Sequence, residues 1–333
     1  MRNPLNSNPI HVRVEALPSA ADLAANIQAA LEMLADARRV ELVGSGDLAD
    51  VVHTIGSTQA RWAGRALRVH SIERLPLRAN GLSPAGWWVR SCSRMAPAVA
   101  TWLVHGQTAG RLLVSSGVAP GERVRCLPLL GPAAAGPSSI STGESRAVLR
   151  RALDVAPGVK LALGLEAGTS HVGAAAWAPA LEALRRSDLV VAQLRPVLGA
   201  PGHYTVRRID DPHRAVTAPL PLVLRAADLL VAADSGLAAS SPAAAAVETG
   251  LPVVAVTTDS AAELVLSGAA GCVVPARADA VAQGVVALLE RGVATRQFGP
   301  GPQEERRKVA VLAHYLLDTY RQSLSVSLVR GLA

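Results

Sequence analysis

Hydrophobic and polar positions alternate in blocks along this chain, most clearly between Ala227 and Pro275. Leu229–Ala232 is an apolar run of strand length preceded by Asp228, and residues 252–256 form a second such run. Between them Ser240, Ser241 and Pro242 supply a cap and a first-turn proline, alanines carry a helix to Thr249, and Gly250 stops it. Residues 260–267 predict another helix ending at Gly268, with a further strand running into Pro275. Unbroken apolar strands separated by helices imply parallel strands covered on both faces.

The same pattern extends to both sides. Residues 1–10 read as a disordered leader. Strands are expected at 11–15, 40–43, 50–55, 67–72, 101–104 and 123–129, and helices at 19–37, 56–64, 84–97 and 107–116. The first helix carries Ser19 as its cap and Leu23, Ile27, Leu31 and Leu34 on one face. A run of small, flexible residues at 132–139 reads as a linker. Beyond it come helices at 144–153 and 177–186 and strands at 160–165, 189–193 and 205–209. Residues 220–226 lead into the core stretch. A helix at 278–289 turns Val281, Val285 and Leu288 inward, and a long helix covers 303–324.

A chain of 333 residues accommodates two domains. Half the residues are hydrophobic, which argues against disorder, while only 3% are aromatic, so the cores must be built from Ala, Leu and Val. No apolar run is long enough to span a bilayer, and the N-terminus lacks the apolar segment of a signal peptide. Cys92, Cys126 and Cys272 are scattered and suit buried thiols of a reducing cytoplasm better than metal ligands. A cytoplasmic protein with no metal and no cofactor is therefore expected.

The net charge is +7, and Lys160 and Lys308 are the only lysines, so the excess is arginine. Such a surface suits phosphate-bearing substrates or anionic lipid head groups. Nucleic acid ranks last and is not expected, because no nucleic-acid motif is present and aromatics are few. Trp87 and Trp88, with Arg90 and Arg94, read as an amphipathic helix that packs under a sheet or touches a membrane surface. Gly44-Ser45-Gly46 invites a phosphate-loop reading, but Asp47 and Asp50 follow at once and repel phosphate, so a plain turn is preferred. His53 and His70 each fall on a predicted strand, where a histidine is either a satisfied core residue or a ligand.

The core stretch resembles the donor-side core of the family-4 retaining glycosyltransferases. The match runs through Ala227-Asp228, Gly250, Pro252-Val253-Val254-Ala255, Glu263, Gly268, Gly271 and Val274-Pro275 without a gap. The likeness continues in the helix bearing Arg146, Arg150 and Leu153, in Asp50-Val51-Val52-His53, and from Ala100 to Pro132. It implies the α/β GT-B fold, two facing Rossmann-like domains with the N-terminal one shortened. The acceptor-side domain would be 1–135, the donor-side domain 140–300, and a terminal helix at 303–325 would pack back on the former through Tyr315 and Tyr320. The helix usual between the strands at 189–193 and 205–209 is cut to the segment 194–203.

The departures fall where the family keeps its chemistry. Its paired glutamates, eight positions apart, would be Leu237 and Ala245, and its Pro-Ser becomes Ala233-Asp234. Gly164 is kept, but Leu165 stands where an Arg would bind pyrophosphate, and Ser170-His171 stand where Lys-Gly would. Losing both cations weakens donor binding by orders of magnitude unless His171 or Arg195 substitutes. The resemblance thus implies donor contacts at Gly164, His171, Ser240, Ser241, Glu248 and Glu263, with the helix N-terminus at Ser240-Ser241 receiving phosphate. On the acceptor side Glu73 takes the place of the family's histidine, with His70 and His53 as the other catalytic candidates. Two functions stay open. One is transfer of a sugar from a nucleotide-diphosphate sugar to an unknown acceptor. The other is a catalytically inactive subunit that binds a protein partner. A nucleotide-sugar epimerase of the same architecture has no specific residue in its support.

Overall fold

The structure, a computed structural model, describes residues 8–17, 20–56, 66–72, 74–76, 92–127, 131, 142–165, 188–197, 200–233, 236–238, 242–257, 261–291 and 302–329. The chain divides into two compact units, Met1–Pro128 with Pro302–Ala333, and Leu129–Gly301. In chain order the first contains β1 (Ile10–Ala16), α1 (Ala21–Asp36), β2 (Val40–Leu42), β3 (Val51–Ile55), β4 (Leu67–Ser71), the short β5 (Arg74–Pro76), β6 (Thr101–His105), α2 (Gln107–Ser115) and β7 (Val124–Leu127). The second contains α3 (Thr142–Ala152), β8 (Lys160–Leu165), β9 (Leu189–Pro196), β10 (His203–Arg208), β11 (Ala215–Pro219), α4 (Leu220–Ala226), β12 (Leu229–Ala232), the short β13 (Gly236–Ala238), α5 (Pro242–Thr249), β14 (Val253–Val256), α6 (Ala261–Leu266), β15 (Gly271–Val274) and α7 (Ala278–Glu290). The closing helix α8 (Pro302–Val329) belongs to the first unit.

Among the described residues, the first unit holds a six-stranded sheet in the order β2-β1-β3-β4-β6-β7, parallel throughout. Strands β3 and β6 are buried at every position, as a parallel sheet covered on both faces requires. Helix α1 turns Leu23, Ile27, Ala30, Leu31 and Leu34 inward, the face its spacing predicts. It packs beside α8, whose Leu312, Ala313, Leu316 and Tyr320 are buried. Two polar contacts pin α8 to the sheet: the Tyr320 hydroxyl lies 2.6 Å from His53 Nδ1, and Thr101 Oγ1 lies 2.6 Å from Ser323 Oγ. Tyr315 is instead 44% exposed, so of the two tyrosines only Tyr320 anchors the helix.

The second unit holds a seven-stranded sheet in the order β11-β10-β9-β8-β12-β14-β15. It is parallel except for β10, which runs antiparallel to both neighbours. One face packs Leu161, Leu163, Leu194, Leu230, Val253 and their neighbours with α3, α4 and α5. The other packs Ala162, Leu229, Val231, Val254 and Val256 under Val281, Val285 and Leu288 of α7. Gly250 ends α5 at φ 73°, and its N–H donates to the Val247 carbonyl at 3.0 Å, the left-handed stop expected there. Gly271 is required by crowding: a Cβ on it would lie 2.1 Å from the Val253 carbonyl oxygen.

The amino edge of this sheet is locked by one carboxylate. Asp228 accepts from Arg146 Nη2 at 3.0 Å, from Arg150 Nη1 at 3.1 Å and from the Leu161 N–H at 2.7 Å. The same guanidinium groups donate to the carbonyls of Arg225, Ala226, Ala227 and Val159. Two motif fragments that lie about eighty residues apart in sequence therefore form one cluster that ties α3 and α4 to β8 and β12.

The structure departs from the sequence expectation between β9 and β11. The chain does not make a shortened helix after residue 193. It continues as strand to Pro196, turns through Gly202 at φ 73° and returns antiparallel, and β11 then extends the ribbon. The helices expected at 56–64 and 177–186 lie largely or wholly outside the described residues. So does most of 84–97, including Trp87 and Trp88; its described end is helical at 92–95 and closes in a 3-10 turn at Ala96–Ala98. No helix among the described residues is long and apolar enough to cross a membrane.

Replacing Asp228 by Ala strands two partly buried guanidinium groups and one strand amide. The expected cost is about 3–5 kcal/mol, read from urea denaturation. Asp210→Ala, which removes an exposed partner of Arg208, should cost under about 1 kcal/mol. Equal costs for the two variants would contradict the locking role of Asp228.

Candidate functional site

In the second unit the chain leaves β8 towards β9 on one side and comes back to β12 on the other. Doubly wound sheets take ligands in the crevice at the carboxyl ends of the strands flanking such a reversal, here β8 and β12. Gly164 lies at this point, level with Val231 of β12 and Gln193 of β9. It brings backbone and no side chain to the crevice. Leu165 follows it, level with Leu194, and packs against the apolar core of the α3/α4 face. A side chain there serves packing, where the resemblance calls for a cation.

The strands beside Gly164 carry a polar face. Along β9, β10 and β11, Ala192, Leu194, Tyr204, Val206 and Ala218 turn into the core. By the two-residue period of a strand, Gln193, Arg195, Thr205, Arg207 and Thr217 take the opposite face, the one Gly164 shares. Arg207 Nη2 donates to Gln193 Oε1 at 3.0 Å, and the Thr205 and Thr217 hydroxyls meet at 2.9 Å. Arg195 and Thr217 are exposed, and the others are half-buried.

Glu263 lies in the first turn of α6, the helix after the carboxyl end of β14, and Glu248 in the last turn of α5; both are half-buried. Ala245 packs on the core and meets Gly131 closely, since a Cβ on Gly131 would lie 3.3 Å from the Ala245 Cβ. The position where a second family glutamate would fall is thus occupied by apolar contact. His171, Ser240, Ser241 and Glu73 lie outside the described residues.

His53 and His70 stand in the sheet of the first unit, on opposite faces of neighbouring strands. His53 is fully buried, with Nδ1 on the Tyr320 hydroxyl and Nε2 at 2.7 Å from Ser71 Oγ. In a neutral ring one nitrogen donates and the other accepts, and both hydroxyls can answer either role. His70 is 3% exposed, accepts or donates at 2.7 Å with Thr54 Oγ1, and meets Trp102 edge-on at 5.1 Å. Burial drives the His53 pKa down to about 3, helped by His70 and His105, and that of His70 down to about 4. Burial holds the Tyr320 phenol protonated. Both imidazoles are thus neutral, and both ring nitrogens of His53 are engaged by hydroxyls within the sheet and α8.

Among the described residues, no group of His, Cys, Asp or Glu could hold a metal ion. Cys92 is buried, and that burial pushes its thiol up to about 12, while burial also raises Cys272.

Neither a protein-family profile nor a curated protein matches the sequence. Solved structures do match, over nearly the whole chain. Sucrose-phosphate synthase from Thermosynechococcus elongatus is 13% identical, covering 96% of this chain and 100% of its own, with a TM-score of 0.63. A glycosyltransferase from Rickettsia africae is 12% identical, covering 96% and 99%, with a TM-score of 0.59. HepE of Anabaena, solved in complex with UDP, is 14% identical, covering 97% and 100%, with a TM-score of 0.52. The fold is therefore GT-B, built from two Rossmann-like α/β units.

Neutral burial of two histidines makes stability depend on pH. Unfolded, each ring protonates near pH 6.5; folded, each resists until about 3 or 4. Their contribution is complete above about pH 6.5 and is lost as pH falls, by about 1.4 kcal/mol per pH unit for each ring. The free energy of unfolding read from urea denaturation should drop between pH 7 and pH 5, by up to about 4 kcal/mol for the pair. Equal stability at the two pH values would contradict neutral burial.

Proposed function

We propose that this chain is a glycosyltransferase-like protein of the family-4 kind that binds a nucleotide-diphosphate sugar at the carboxyl edge of the second unit's sheet and transfers the sugar to an acceptor. The observation that carries the reading is the position of Gly164. A motif glycine stands where strand order reverses in a doubly wound sheet, near the carboxyl end of β8, the edge at which such sheets take ligands. The whole-chain likeness to GT-B structures supports the same reading, though fold by itself does not fix function.

The site binds phosphate with an unusual set of groups. Leu165 is turned into the core and offers no charge. The first turn of α5 presents the positive end of a helix dipole. Glu263, in the first turn of the next helix, is the carboxylate best placed in the topology to accept hydrogen bonds from sugar hydroxyls. Retention of configuration asks mainly that the departing diphosphate be stabilised. On the acceptor side Glu73 follows β4 by two residues and stays the candidate acid or base. His53 and His70 serve the sheet and the anchoring of α8.

Calorimetric titration with UDP, GDP and ADP, and then with their sugars, tests the proposal. Saturable binding of one nucleotide tighter than about 1 mM, roughly 4 kcal/mol, is the expected result. Absence of binding to every nucleotide would overturn the reading in favour of an inactive GT-B subunit that engages a protein partner.

A further inference from the structure

The polar ribbon beside Gly164 has a composition that sheet packing does not explain. On this face β9 begins apolar, with Leu189 and Val191 packed against the α7 core, and turns polar from Gln193 onwards. The change coincides with the level of Gly164. We infer that Arg195 and Arg207 form the clamp for the donor diphosphate, supplying from β9 and β10 the two positive charges that Leu165 and the segment after it lack. The assignment of the ligand rests on the donor reading above.

Register brings the two guanidinium groups to the crevice. Gly164, Gln193 and Arg207 are consecutive partners across three strands, so Arg207 stands two strand spacings, about 10 Å, from Gly164. Arg195 is one spacing away and two residues nearer the carboxyl edge. The bond from Arg207 to Gln193 draws that guanidinium towards β8 and engages one of its five N–H donors. The planar fork of arginine matches the paired oxygens of a phosphate.

Among the described residues of β8, β9, β10 and β11, this face carries no carboxylate. The nearest acids along β10, Asp210 and Asp211, lie beyond its other end and are engaged by Arg208 and Arg214. The joined hydroxyls of Thr205 and Thr217 line the same face and can donate to an oxyanion.

The probes are inorganic pyrophosphate, UDP and uridine, titrated calorimetrically into the full chain at low and at physiological salt. The wild type should bind pyrophosphate and UDP, each more weakly as salt rises. Arg195→Gln and Arg207→Gln should each weaken both ligands about tenfold or more, and the double variant should lose them. Arg195→Lys should recover part of the loss, while Arg151→Gln, an exposed change on α3, should leave binding unchanged. Thermal melts check the fold of each variant. If the double variant unfolds, the exposed single change at Arg195 carries the test. Undiminished UDP and pyrophosphate binding in the folded double variant would overturn the clamp yet leave the donor reading standing. Pyrophosphate binding that the variants lose, without any nucleotide binding, would leave the clamp and overturn the donor reading. A wild type that binds neither pyrophosphate nor any of UDP, GDP and ADP would overturn both.

Discussion

One carboxylate holds the second unit in register. Asp228 sits just ahead of β12 and receives two guanidinium groups from α3 and an amide from β8, so it fixes two strands and a helix at a single point. Ion pairs of this kind stabilise when further hydrogen bonds accompany them, and here the two guanidinium groups also reach four main-chain carbonyls. The amino edge of the sheet is thereby closed by charge. The carboxyl edge, across the length of the strands, is left to loops, a strand glycine and an arginine-bearing ribbon.

The residues on which the resemblance rests serve the fold here. Arg146, Arg150 and Asp228 hold the sheet together, and Gly250 and Gly271 allow the chain to turn and to crowd past Val253. None of these depends on a donor sugar. Leu165 and Ala245 are likewise part of the packing, one against the α3/α4 core and the other against Gly131 as well. In the first unit a parallel logic gives His53, Thr101, Tyr320 and Ser323 the work of holding α8 on the sheet. Polar pairs inside a parallel sheet must be satisfied locally, and hydroxyl–imidazole contacts do so without a buried charge.

Much of the fold was legible in the sequence because its strands are short apolar runs bounded by glycine and proline. The heptad-like face of α1 at Leu23, Ile27, Leu31 and Leu34 emerged as read. The ribbon β9–β10–β11 did not, because Pro196, Gly199, Pro201 and Gly202 look like a broken helix when the two flanking runs are read separately. The signal was present in the alternation of Ala192 and Leu194, then Tyr204 and Val206, with polar residues between them. The site was legible only in part. Gly164 and Glu263 stand out by the resemblance, whereas Arg195 and Arg207 belong to different strands and come onto one face only through register. The partnership of His53 and Tyr320, 267 positions apart, has no local signature at all.

Hydrogen–deuterium exchange of the full chain with and without UDP tests the central claim, that a nucleotide diphosphate seats at the carboxyl edge beside Gly164. The account requires slowed exchange in peptides covering 160–165 and 189–208 when UDP is present. Unchanged exchange there, with protection confined to the first unit or absent throughout, would contradict it.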